Sequence, residues 1–155
     1  MKLEVCYKDK HLIKLEKTDK GDCIDIRVSS ATVNGATANS VEYKCGDTVI
    51  VNFGIVCRVP ANKRISMYAR SSTFEKYGLI LTNGEGVIDN SYQGFSDSLR
   101  GKFYAFRDGL IQHNDRIAQI EIVDRMDLHH DDIIEINEDD LREISRGGYG
   151  SSGHK

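Results

Sequence analysis

The sequence predicts an all-β fold, a sandwich or barrel of the jelly-roll kind. Three observations predict it. Short runs alternate apolar and polar residues with a period of two, as in Cys23-Ile24-Asp25-Ile26-Arg27-Val28. β-Branched residues crowd Thr48 to Val59. Glycine-rich breaks separate such runs, and 155 residues hold a single proline and one short helical signal.

The elements follow in order. In the first run Ile24, Ile26 and Val28 share one face and Asp25 and Arg27 the other, the pattern of a half-buried strand. Thr48 to Val59 reads as one long strand with Gly54 as a bulge or bend. Arg64 to Arg70, Lys102 to Phe106 and Arg116 to Val123 read as further strands. Ser72-Thr73-Phe74-Glu75 has the S-x-x-E spacing of a capping box, in which Ser and Glu satisfy each other's orphan amides, and Gly78 stops the helix after one or two turns. From Asp124 to Glu143 the chain turns acidic. Ile133, Ile134 and Ile136 among those charges predict one last edge strand. Arg146 to Lys155 holds four glycines with serines and one tyrosine, too little to bury a core. Residues 1–144 therefore read as one domain and 145–155 as a flexible arm.

Composition excludes several classes. A net charge of -3 supplies no basic field for a nucleic-acid backbone. The apolar stretch Thr48 to Val59 contains Asn52 and Arg58 and is too short to span a bilayer. Lys8, Asp9 and Lys10 interrupt any leader at the start. The expectation is a cytoplasmic protein with neither a membrane nor nucleic acid as partner. Cys6, Cys23, Cys45 and Cys57 form no C-x-x-C pair, so free thiols are expected and not a zinc site. His129 and His130 are adjacent, and on a strand they would point to opposite faces, which argues against a metal there.

Four segments carry candidate chemistry. Ala69-Arg70-Ser71-Ser72 joins a strand to a helix start, where a guanidinium fork, hydroxyls and free amides suit an anion; an ordinary cap fits as well. Gly84 to Gly94 reads as a hairpin whose main-chain groups can meet a base edge. Within it Asp89 follows two apolar residues, which predicts a partly buried carboxylate fit to hold a water, and Tyr92 offers a ring to a sugar. Turn chemistry explains Asp89-Asn90-Ser91 equally. In Asp115 to Ile120, alternation puts Ile117 with Gln119 and Arg116 with Ala118 and Ile120. Arg146 to Gly153 can wrap phosphates with amides, hydroxyls and charge, with Tyr149 for stacking, or be a plain tail.

Taken together and in this order, the segments resemble the dUTPase family. Ile24-Asp25-Ile26 looks like its first motif, Arg70-Ser71-Ser72 its second, and Gly86-Val87-Ile88-Asp89-x-x-Tyr92-x-Gly94 its third. Asp115-Arg116-Ile117-Ala118-Gln119 is similar to the fourth, and Arg146-Gly147-Gly148-Tyr149-Gly150-Ser151-Ser152-Gly153 to the fifth. The likeness spans Asp25 to Ser152 and is greatest to enzymes of phages and prophages of Gram-positive bacteria. It implies a jelly-roll homotrimer that converts dUTP to dUMP and pyrophosphate, limiting uracil in DNA and supplying dUMP for dTMP. Under that resemblance Asp89 orients the attacking water. Asn83, Gly86, Val87 and Ile88 read uracil, and Tyr92 packs under the deoxyribose. Ser71, Ser72 and Gln119 hold phosphates with Arg70. Tyr149 closes over the base, with Arg146, Gly150, Ser151 and Ser152 on the terminal phosphate. Asp25 orients Mg²⁺ through water, the ion itself being held by the triphosphate.

The chain departs from the pattern at Asn114, where a glycine is usual, at Tyr149 for phenylalanine, at Ala69 for proline, and ahead of Asp25, where a glycine is missing. Phe95 to Gly101 is longer than usual. Two rivals remain. A dCTP deaminase shares the fold and an Ala-Arg-Ser-Ser segment but needs a carboxylate after the third motif, and Lys102 to Phe106 has none. A regulatory protein partner could instead use the Phe95 loop or the acidic stretch.

Overall fold

Phe53-Gly54 divides the expected long strand and sends its two halves into different sheets. The computed structural model of the protein describes residues 1–141. Gly54 has φ +62, and a Cβ there would lie 2.7 Å from Ser29 Cβ, so neither the backbone nor the space admits a side chain. The chain before it, and that after it, are separate strands.

The strands in order are β1 (Glu4–Tyr7), β2 (Ile24–Ile26), β3 (Ser30–Val33), β4 (Ala36–Ala38), β5 (Ser40–Tyr43), β6 (Thr48–Asn52), β7 (Ile55–Arg58) and β8 (Lys63–Ala69). After the helix α1 (Thr73–Tyr77) come β9 (Leu79–Leu81), β10 (Glu85–Ile88), β11 (Arg100–Ala105), β12 (Gly109–Gln112) and β13 (Ala118–Asp124). One sheet runs β10-β8-β13-β2 and another β4-β3-β6-β11-β9, while β1 pairs β7 and β12 pairs β5. All pairings among the described residues are antiparallel.

Alternation sets the core. Ile65, Met67 and Ile120 of the first large sheet meet Val49, Val51 and Phe103 of the second in one buried cluster. Phe103 is fully buried, and truncating such a ring costs about 3–5 kcal/mol. Ile26 and Val28 point into the same cluster, so the half-buried pattern read from residues 23–28 holds, although regular pairing covers only Ile24–Ile26.

Three local expectations fail for identifiable reasons. Ser72 sits at the N-cap of α1 but makes no side-chain cap hydrogen bond. Thr73 does the work: its hydroxyl donates to Ile117 O at 2.7 Å and accepts from the Arg70 amide at 3.0 Å. Gly78 ends the helix as expected. Ile117 and Ala118 are both fully buried, because the strand begins only at Ala118 and alternation does not extend back through Asp115 to Ile117. The isoleucines of the acidic stretch form no strand. They lie exposed between two single 3₁₀ turns, His130–Asp132 and Glu138–Asp140, each closed by an Asp side chain accepting the amide three residues back.

Met1–Arg125 is one compact unit and Met126–Lys155 a second, of which residues 126–141 are described. No described helix is long and apolar enough to cross a membrane.

Candidate active site

β10 is an edge strand. One side pairs with β8, from Glu85 opposite Tyr68 to Ile88 opposite Ile65, and no strand among the described residues takes the other. Its base is fixed by Ser66, whose hydroxyl donates to Glu85 Oε1 at 2.5 Å, with Arg64 at 3.4 Å. The Ser66 hydrogen bond, opposed by desolvation and helped by Arg64, holds the Glu85 carboxyl below its ordinary value. Gly86 is buried so close to β8 that a Cβ would stand 3.0 Å from Met67 Cε and 3.2 Å from Met67 Cβ. The strand can therefore lie flat against Met67 and leave a cleft outside.

That cleft is a cavity of about 250 Å³ lined by Met67, Asn83, Gly86, Val87, Ile88, Asp89, Tyr92 and Arg100. It brings together the hairpin residues singled out from the sequence. Asn90 pins the turn after Asp89, donating to the carbonyls of Val59, Pro60 and Lys63 at 3.3, 2.9 and 3.0 Å. The Tyr92 hydroxyl donates to Ser98 O at 3.1 Å, which fixes the ring at the cavity wall. Asp89 is exposed and not partly buried as expected. Val87 points outward and Ile88 is only half-buried, so its apolar neighbours do not draw it inward.

β2 lies at the opposite edge of the same sheet. Asp25 stands opposite Gln119 of β13 and is gripped by two guanidiniums, Arg70 Nε at 2.8 Å and Arg116 Nη1 at 3.2 Å. Gln119 Nε2 donates to Ala69 O at 3.3 Å. Asp25, Arg27, Arg116 and Gln119 line a cavity of about 460 Å³ whose remaining wall is formed by residues between Ile13 and Cys23. Arg116 and Gln119 thus share a site, although strict alternation would separate them. Ser71 and Ser72 lie at the start of α1 next to Arg70 and line neither cavity. Arg146, Tyr149, Gly150, Ser151 and Ser152 lie outside the described residues.

A protein-family model for dUTPase matches residues 36–153. The chain belongs to the dUTPase family. A relative in that family, the SPbeta prophage-derived deoxyuridine 5'-triphosphate nucleotidohydrolase of Bacillus subtilis (strain 168), is 35% identical over 155 residues, the whole of both chains. The fold is that of the Staphylococcus bacteriophage 80alpha dUTPase solved with dUpNHpp, at TM-score 0.74 and 17% identity over 99% of each chain. The dUTPase of phage phi11 of S. aureus, described with a structural Mg(II) ion, superposes at TM-score 0.71 with 14% identity over 89% of this chain and 98% of that one. The jelly-roll expectation therefore holds.

Seen as a dUTPase, the chain explains one of its own departures. Asn114 has φ +67, the left-handed conformation that glycine adopts readily and asparagine tolerates. Its side chain is then free to accept the Ile13 amide at 2.9 Å. Sequence reasoning missed Arg100 and Met67 in the first cavity and Lys14 and Arg27 in the second. Arg27 had a signal, since alternation places it on the Asp25 face. Lys14 had none, because the segment from Lys8 to Cys23 forms no regular element from which to read a facing direction.

Proposed function

We propose that this dUTPase hydrolyses dUTP to dUMP and pyrophosphate, with Asp89 as the group that orients the attacking water. The observation that carries the assignment is the meeting of Asp89, Asn83, Tyr92 and the unpaired edge of β10 in one cavity. Uracil offers two carbonyl acceptors flanking one N–H donor, and an unpaired strand edge offers the complementary amides and carbonyls. Gly86, Val87 and Ile88 supply those groups, and Asn83 adds a side-chain amide. Tyr92 lies against the sugar. Asp89 accepts a proton from water as its oxygen attacks the α-phosphorus, and the bond to the β-bridging oxygen breaks to release pyrophosphate.

Asp25, Gln119, Arg70, Ser71 and Ser72 serve the phosphate chain. Among the described residues no three His, Cys, Asp or Glu side chains cluster to hold a metal, and Asp25 already has two arginine partners. This donor set fits Mg²⁺ carried by the triphosphate, with Asp25 reaching it through water. The ion would neutralise charge on the phosphate oxygens. Residues 145–155 close over the substrate, with Tyr149 on the base and Arg146, Gly150, Ser151 and Ser152 on the terminal phosphate.

The active site is completed between copies in a homotrimer. β10 and β2 are separated by β8 and β13, three strand steps or about 14 Å, and the two cavities share no lining residue. The width of that sheet between Asp89 and the Asp25 cavity of the same chain supports a neighbour's cavity taking the phosphates.

A deaminase reading is disfavoured because β11, Arg100–Ala105, carries no carboxylate. Chromatography after incubation with dUTP and with dCTP separates the two. The expected result is dUMP from dUTP with dCTP intact; dUTP appearing from dCTP would reverse the assignment. Phe95 is 85% exposed at the tip of the turn before β11, and this favours a second role in docking a regulatory protein, which loss of binding on replacing Phe95 would test.

A further inference from the structure

The N-terminal segment from Lys8 to Cys23 is a fastened strap. The amides of Lys8 and Asp9 both donate to Gly54 O, at 2.8 and 3.2 Å. Asp9 Oδ2 is bonded by the Ser29 hydroxyl and by His113 Nε2, each at 2.8 Å. The Ile13 amide reaches Asn114 Oδ1 at 2.9 Å, and the Leu15 amide the Tyr7 hydroxyl at 2.8 Å. Leu12 is buried in the core. Lys17 Nζ closes the far turn on the carbonyls of Thr18 and Gly21. A segment held at so many points is a wall, and it walls the cavity that contains Asp25 and Gln119.

Charge indicates what the wall does. Arg70 and Arg116 are occupied by Asp25. Two other cations line or border the same space without a carboxylate partner among the described residues. Arg27 donates to the Asn114 carbonyl at 3.1 Å, and Lys14 rests its Nζ 3.8 Å from the centre of the Tyr7 ring. A cation held only over a ring is oriented but not neutralised. Glu16 and Asp22 lie on the same wall, so the lining carries both signs. Such a lining suits a polyphosphate accompanied by its divalent cation better than a bare anion.

We propose that the strap is part of the phosphate-chain site and that Lys14 is a phosphate ligand supplied by it, acting on the phosphates beyond the first. The inference rests on the dUTPase reading for its substrate. It concerns a segment that lies entirely before residue 36, where the family match begins. Asp89 of one copy takes the α-phosphate end; the cavity at β2 of a neighbouring copy takes the remainder. The Asp9–His113 and Ile13–Asn114 bonds position the strap so that Lys14 need not be ordered when substrate arrives.

Calorimetric titration of the full chain with inorganic tripolyphosphate and Mg²⁺ tests the proposal without a nucleoside. Lys14→Met should weaken binding about tenfold, while Lys14→Arg keeps it within about twofold. In turnover Lys14→Met should raise KM for dUTP by a similar factor, leave kcat within about twofold and leave dUMP inhibition unchanged. Unaltered tripolyphosphate binding by Lys14→Met, no binding by the wild-type chain, or an equal loss of dUMP affinity would each overturn it. A wild-type chain that binds Mg-tripolyphosphate through Lys14 but leaves dUTP intact would end the dUTPase reading and leave this one standing.

Discussion

The two cavities at the edges of the β10-β8-β13-β2 sheet are built in opposite ways. The β10 cavity draws most of its lining from one contiguous stretch, Asn83 to Tyr92, with Met67 added from β8 and Arg100 from β11 of the other large sheet. The β2 cavity is assembled from residues 13–27 and 116–119, with Arg70 reaching Asp25 from the end of β8. A local site can be rigid without much support, because its turn is pinned by one side chain, Asn90, on three carbonyls. A dispersed site needs ties between distant segments, and it has them in Asp25 with two arginines and Asp9 with His113. The difference teaches that damage to the first should appear in chemistry or base reading, and damage to the second in phosphate affinity.

The largest expected effect falls on the local site. Asp89→Asn keeps the shape of the turn but cannot take a proton, so kcat should drop by about 10²–10⁴ with little change in dUTP binding. Stopped-flow pyrophosphate release beside calorimetric binding of a non-hydrolysable analogue checks it; an unimpaired rate would break the contrast. Next, Gly86→Ala forces a Cβ to within 3.0 Å of Met67 Cε and 3.2 Å of its Cβ. The flexible methyl can give way but the stem cannot, so β10 should shift outward, and KM for dUTP should rise about threefold to tenfold with the fold retained. Equal kinetics would show that β10 tolerates displacement.

Legibility followed the same division. The hairpin could be read from its glycines, its Asp-Asn-Ser turn and Tyr92, because neighbours in sequence became neighbours in space. Ile26 and Val28 were legible as core from alternation alone. The break at Gly54 was visible as a glycine but not as a change of sheet, since what decides it is the approach of Ser29, a residue 25 positions away in the chain. The capping box failed because Ser72 has a helical backbone, φ -88 and ψ -2, and not the extended one that turns a cap hydroxyl back onto the helix amides. Thr73 instead ties the helix start to Ile117 O. Asp25 was legible as a candidate, but its arginine pair was not, as that pairing depends on where β8 ends and β13 begins. The exposed position of Asp89 depends on the outward turn of Val87, which alternation alone did not fix.

The smallest effect concerns the strap. Burial opposes ionisation of Asp9, but the His11 amide, the His113 ring and the Ser29 hydroxyl outweigh it and hold the carboxyl below its ordinary value of 3.8. A depressed pKa contributes stability that is fully present above 3.8 and is lost as pH falls through the lower folded value. Hydrogen exchange at the Lys8, Asp9 and Ile13 amides should therefore stay slow at about pH 5 and quicken only at more acid pH, while core amides remain protected. Strap amides that exchange freely at about pH 5 would show the clamp to be absent.

The most direct test of the two-edged site is complementation between inactive chains. Asp89→Asn disables only the cavity at β10, and Asp25→Asn only that at β2. Each variant alone should release little pyrophosphate from dUTP. If a neighbour completes each site, unfolding and refolding the two together should restore activity at about a quarter of the sites in randomly mixed assemblies. A mixture no more active than the separate variants would contradict the account.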